Sequence, residues 1–147
     1  MGLPKQLTSF TKFGLDTSIF IYHLEAHSTY VSITQEIFDC IISGQKHAVT
    51  SVITLMEINV RPLQLGRKDI ARQYEALLCN YPHLTILDVN REVARRAAQL
   101  RTDFNLRPAD ALQVAACICG DAQVFITNDK RLKRLEPIKV TILDDLI

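Results

Sequence analysis

No stretch of this 147-residue chain approaches the ~20 consecutive apolar residues that a membrane-spanning helix needs. Met1 to Phe13 also lack the apolar centre of a signal peptide. A cytoplasmic protein without membrane association is therefore expected. Neither charge is in surplus: 17 Lys and Arg face 16 Asp and Glu, for a formal net charge of +1. That excludes a polybasic nucleic-acid coat and leaves room for a local basic patch. The cysteines Cys40, Cys79, Cys117 and Cys119 contain no CxxC pair, so buried, reduced thiols are expected. The histidines do not complete a zinc site. His23 and His27 stand four apart, but Glu25 occupies the third position where the zinc-protease pattern HExxH has its Glu second. Two half-exposed helix histidines are expected instead. With no repeat, low-complexity run or linker, one domain is expected over 1–147, with residues 1–10 as a loose tail.

Against these absences, 48% of the residues are hydrophobic, enough for a sizeable core. Short apolar runs alternate with helical patterns. The spacing predicts strands over 13–15, 47–50, 84–89, 123–126 and 139–143. It predicts helices over 17–25, 28–43, 51 to about 65, 67–80, 91–104, 109–119 and 130–135. Gly44 is expected to stop the second helix, Ser51 to cap the third, and Pro62 to kink or interrupt it. This alternation of strands with helices implies an α/β fold, a parallel sheet covered on both faces.

In such sheets, ligands bind beyond the carboxyl ends of the strands. Asp16 follows the first strand and Asp129 the fourth, Glu57 lies on the helix after the second, and Asp110 opens the helix feeding the fourth. Carboxylates converging on one rim repel each other unless a cation lies among them, and hard oxygen donors favour Mg²⁺ or Mn²⁺. Each acid also has a plainer role: Asp16 (or Thr17) and Asp129 as helix caps, Asp110 as a first-turn carboxylate, Glu57 as a partner of Arg61 worth ~0.3–0.5 kcal/mol. Glu57 is the least plain, since Ile53, Leu55, Met56, Ile58 and Val60 surround it; a partly buried carboxylate needing a partner is expected there.

Four segments carry a resemblance. They are Leu15-Asp16-Thr17-Ser18-Ile19-Phe20-Ile21-Tyr22-His23-Leu24, Thr50-Ser51-Val52-Ile53-Thr54-Leu55-Met56-Glu57, Arg107-Pro108-Ala109-Asp110-Ala111-Leu112-Gln113-Val114-Ala115-Ala116 and Phe125-Ile126-Thr127-Asn128-Asp129. In order and spacing they resemble the four motifs of PIN domains, the nuclease family that includes VapC-type toxins. The resemblance implies a three-layer α/β/α fold with a central five-stranded parallel sheet, and Mg²⁺- or Mn²⁺-dependent endoribonuclease activity on an RNA substrate. It places Asp16, Glu57, Asp110 and Asp129 as catalytic and metal-holding acids, with Thr127, Thr17 and Ser18 in support. Asn128 stands where some members have another acid, which leaves the fourth ligand open between Asp129 and Asn128. An antitoxin protein and a second copy of the chain are the implied partners.

Rival chemistries fit less well. Aspartate-nucleophile phosphatases need an Asp where Ser18 stands, a dinucleotide-binding domain needs a glycine-rich first turn, and a receiver domain needs an acidic pair at the start. The remaining alternative is a catalytically silent module of the same fold that binds RNA or protein. For RNA contacts, Arg107 and Lys130 are the leading candidates because they are nearest in sequence to the acids. Arg131 and Arg134 are as readily explained by a solvated helix face.

Overall fold

The computed structural model describes residues 2–147. Its strands are β1 (Lys12–Leu15), β2 (His47–Ser51), β3 (Leu84–Leu87), β4 (Val124–Thr127) and β5 (Lys139–Ile142). They form one sheet in the order β3-β2-β1-β4-β5, and every neighbouring pair is parallel. The helices are α1 (Lys5–Thr8), α2 (Thr17–Leu24), α3 (Val31–Ile42), α4 (Val52–Gln64), α5 (Lys68–Asn80), α6 (Arg91–Phe104) and α7 (Pro108–Cys119). A 3-10 turn, Lys130–Arg134, follows β4.

Alternation along the strands builds two cores. Phe13 and Leu15 of β1, with Val124 and Ile126 of β4, pack with Ile19, Phe20 and Ile37 on one face. Phe125 of β4 and Val140 and Ile142 of β5 pack with α6 and α7 on the other. The result is the expected three-layer α/β/α architecture.

Two features of this frame position the site. Strand order reverses between β1 and β4, so the carboxyl ends of these two strands flank a topological switch point, where open α/β sheets bind ligands. The Asp16 N–H donates to the Ile126 carbonyl at 3.0 Å and ties the end of β1 to β4 there. The second feature is Gly14. A Cβ at this position would lie 2.9 Å from both Cβ and Sγ of Cys117, so the missing side chain is what lets α7 lie against β1. That close approach brings the first turns of α7 to the strand ends.

Four expectations need correction. Residues 2–10 are not a loose tail: Lys5–Thr8 is helical and Leu7 is fully buried in the core, which anchors the segment; Met1 lies outside the described residues. Pro62 does not interrupt α4, which runs on to Gln64 with Pro62 buried inside it. The cysteines are all free, but only Cys117 is buried and Cys79 is exposed. His23 and His27 are half-buried, yet α2 ends at Leu24, so His27 lies beyond the helix.

Candidate active site

Asp16 is the N-cap of α2 and sits at the switch point. The Thr17 N–H donates to its Oδ1 at 2.9 Å, and the Thr127 hydroxyl donates to its Oδ2 at 2.6 Å. Both carboxylate oxygens are thereby held, one by its own helix and one by the end of β4. The plain capping role and the functional one belong to the same side chain. Burial pushes the Asp16 carboxyl up to about 6; the two hydrogen bonds oppose this, and the negative charges of Glu57 and Asp110 add to it. Three carboxylates from β1, α4 and α7 therefore share one electrostatic neighbourhood.

Glu57 departs from expectation. It is exposed, not partly buried, because α4 turns Met56, Val60 and Leu63 to solvent as well. Its partner is not Arg61 but Thr17, whose hydroxyl donates to Oε1 at 2.6 Å. Asp110 lies in the first turn of α7, where the helix dipole favours a carboxylate. Burial nevertheless raises its pKa, Asp129 adds to the rise, and Arg131 and Arg107 oppose it.

Asp129 faces the same cleft as Asp110, Arg107, Arg131 and Arg134. It is engaged by a cation already: Arg131 Nε donates to Oδ1 at 2.9 Å and Nη2 to Oδ2 at 2.6 Å. This fork holds the Asp129 carboxyl below the usual carboxylate range. Asn128 turns away, donating to Tyr22 Oη at 3.3 Å and accepting the Asp144 N–H at 3.1 Å. Ser18 makes no bond to the acids; its Oγ is buried without a partner among the described residues. Lys130 leans to Asp144, 3.7 Å away, while Arg107 is exposed beside Asp110. Arg131, ranked below Lys130 on sequence distance, is the basic residue actually joined to an acid of the site.

Sequence reading passed over the layer beneath the acids. Gln113, one turn after Asp110, is 2% exposed. It joins fully buried Thr50, Ser51 and Thr54, and nearly buried Thr17, in a network of hydroxyls directly under Asp16 and Glu57. The available signal was a lone amide inside the apolar run Ala111 to Ala116, where a buried polar group has to find partners.

The donor chemistry fits a hard divalent cation: the acids offer oxygen only, and the raised pKa values of Asp16 and Asp110 record charges that a cation would relieve. Among the described residues, no three of His, Cys, Asp and Glu stand close enough to hold an ion by themselves. The arrangement suits an ion held by one or two carboxylates that retains several waters, as Mg²⁺ commonly does, and is looser than the four-carboxylate cluster expected from sequence.

Comparison with known proteins adds the family. The PIN domain model matches residues 14–136. A chain of VapBC2 from Rickettsia felis, solved bound to a DNA fragment from their promoter, superposes with a TM-score of 0.72 at 18% identity, over 90% of this chain and 98% of that one. DNA-bound VapBC from Salmonella typhimurium gives 0.71 at 21% identity, over 90% and 98%. A toxin–antitoxin complex from Klebsiella pneumoniae gives 0.64 at 19% identity, over 90% and 97%. At these identities the likeness is one of fold. No curated protein sequence matches significantly.

Proposed function

The chain belongs to the PIN domain family, a family of nucleases, and we propose that it is a Mg²⁺- or Mn²⁺-dependent endoribonuclease, the toxin of a cytoplasmic toxin–antitoxin pair. What supports this reading is that Asp16, at the end of β1, feels the charges of Glu57 and Asp110, and Asp110 that of Asp129, so that four acids from separate segments lie along the carboxyl-end rim of the sheet.

Asp16, Glu57 and Asp110 would hold the cation, directly or through water. The bound cation supplies Lewis acidity, lowering the pKa of a water and stabilising charge on the scissile phosphate. The protein's own part is orientation. Thr127 and the Thr17 N–H fix both oxygens of Asp16, and the Thr17 hydroxyl fixes one of Glu57. Asp129 holds the Arg131 guanidinium beside Asp110, so Arg131 and Arg107 present positive charge where a phosphate would lie. No serine, cysteine or histidine nucleophile is needed.

Surface features support the partners in this reading. A groove of about 570 Å³ between α2, α4 and α5, lined by Ile21, Leu24, Ile58, Leu65 and Tyr74, opens beside Glu57. It suits an apolar segment of an antitoxin reaching toward the acids. Met56, Val60 and Leu63 are 53%, 45% and 52% exposed on the outer side of α4, an apolar stripe fit to be covered in a homodimer. No described helix is long and apolar enough to cross a membrane.

Incubation with a pool of structured RNAs, and with DNAs of the same sequences, tests the reading. RNA fragments are expected with Mg²⁺ or Mn²⁺ and none in EDTA. Intact RNA under every metal condition would instead make the protein a silent module of the same fold. RNA retention is expected to depend on Arg107 and Lys130. Measured in Ca²⁺ across a salt series, the Arg107→Ala, Lys130→Ala double variant should flatten the slope of log affinity against log salt by roughly 1.4, about 0.7 for each phosphate that the protein no longer neutralises. A native slope would place the RNA elsewhere, along Arg91, Arg95 and Arg101 or on a second copy.

A further inference from the structure

The amide of Gln113 has more partners than a residue that merely fills the core. The Ser51 hydroxyl donates to its Oε1. Its Nε2 donates to Thr54 Oγ1 at 2.7 Å and reaches Thr17 Oγ1 at 3.4 Å and Thr50 Oγ1 at 3.5 Å. Ser51 Oγ also accepts the Ile53 N–H, so this one hydroxyl ties the Gln113 amide to the start of α4. Thr50 donates to the Leu15 carbonyl at 2.9 Å, so the 2.7 Å bond between Thr54 and Thr50 has Thr54 as donor. Thr17 Oγ1 faces the Gln113 amide, a donor, at 3.4 Å and Thr54 Oγ1 at 3.2 Å on its inner side, and on its outer side the Glu57 carboxylate, which can only accept. Its hydrogen is left to point outward, to Glu57 at 2.6 Å.

We propose that Gln113 is a positioning residue of the acidic site: its buried amide donates to Thr54 and reaches Thr17 from the inner side, and so holds in place the Thr17 hydroxyl that orients the Glu57 carboxylate. Glu57 is exposed and has no other hydrogen-bond partner among the described residues, so its orientation depends on this one bond. An exposed glutamate on a solvated helix would otherwise sample many rotamers, and a ligand that must be ordered at the moment of binding binds more weakly. Outer partners of a metal ligand act in this way, and their loss commonly weakens metal binding 10–100-fold.

The inference rests on the metal-nuclease reading, and its test separates the two. Mn²⁺ affinity is measured by calorimetry on the full chain, with thermal melting in parallel. Gln113→Met keeps an unbranched side chain of similar volume and removes the amide; Thr17→Val removes the hydroxyl at constant shape. Each is expected to weaken Mn²⁺ binding about tenfold. Thr17→Ser, which restores the hydroxyl, should bind within about twofold of native. Because both act through one path, the double variant should bind no more weakly than either single one. Thr54→Val, remote from the cation, is the second route should Gln113→Met fail to fold, with the same tenfold loss expected. Native Mn²⁺ affinity in folded Gln113→Met or Thr54→Val, or losses that multiply in the double variant, would overturn the positioning role and leave the nuclease reading standing. No Mn²⁺ binding by the native protein would overturn both.

Discussion

Asp16→Asn is expected to abolish metal-dependent RNA cleavage in a protein that still folds. Asn is as good an N-cap as Asp, so the Thr17 N–H keeps its acceptor and α2 keeps its start. What goes is the negative charge at the switch point and the Oδ2 acceptor of the Thr127 hydroxyl. On the proposed function, a cation that would supply several kcal/mol of transition-state stabilisation would lose a ligand, which corresponds to a fall in rate of roughly a thousandfold or more. Cleavage rates in Mn²⁺, read beside a circular-dichroism melt of the same sample, measure this. A folded Asp16→Asn that cleaves at the native rate would remove Asp16 from the chemistry.

The same substitution should leave a signature in stability without metal. The Asp16 carboxyl has a pKa of about 6 in the fold against 3.8 for a free aspartate. A native state that holds the proton more tightly than the unfolded state loses stability as pH rises through that window, and retains the full loss above it. Two pKa units correspond to about 3 kcal/mol. Asp16→Asn cannot titrate, so in metal-free buffer its stability relative to native protein should improve as pH goes from about 4 to about 7, by up to that amount. Taking the difference between two proteins cancels groups they share, such as Asp69, whose pKa is lowered to about 2 by Arg67 on the surface. Denaturant melts at several pH values give the comparison. A gap that stays flat with pH would mean that Asp16 is not a strained carboxylate.

The order of the elements, and with it the end of the sheet at which Asp16 and Asp129 stand, was legible because strands buried on both faces read as short apolar runs and helices announce their caps. Ser51, for instance, caps α4 as its sequence suggests. The errors came from properties a linear sequence does not encode. Leu7 looked like part of a tail because its burial depends on a core built by residues far along the chain. Glu57 looked buried because its neighbours are apolar, yet α4 leaves an apolar stripe at the surface. Asp129 caps the turn after β4, as its sequence position suggests, but its fork with Arg131 went unforeseen because such a pair is a matter of side-chain geometry in a 3-10 turn. Gln113 shows in the sequence only as a lone amide in an apolar run, and its partners were illegible because they lie on β2, α2 and α4, many residues away.

If Asp16, Glu57 and Asp110 share one cation, directly or through its waters, adding Mn²⁺ should raise the melting temperature of the protein. At a concentration a hundredfold above the dissociation constant, binding to the folded state alone adds ~2.7 kcal/mol, or about 5–10 °C in melting temperature for a chain of this size. The account predicts that rise for the native protein and its disappearance in both Asp16→Asn and Asp110→Asn; a native melting temperature unmoved by millimolar Mn²⁺ would contradict it.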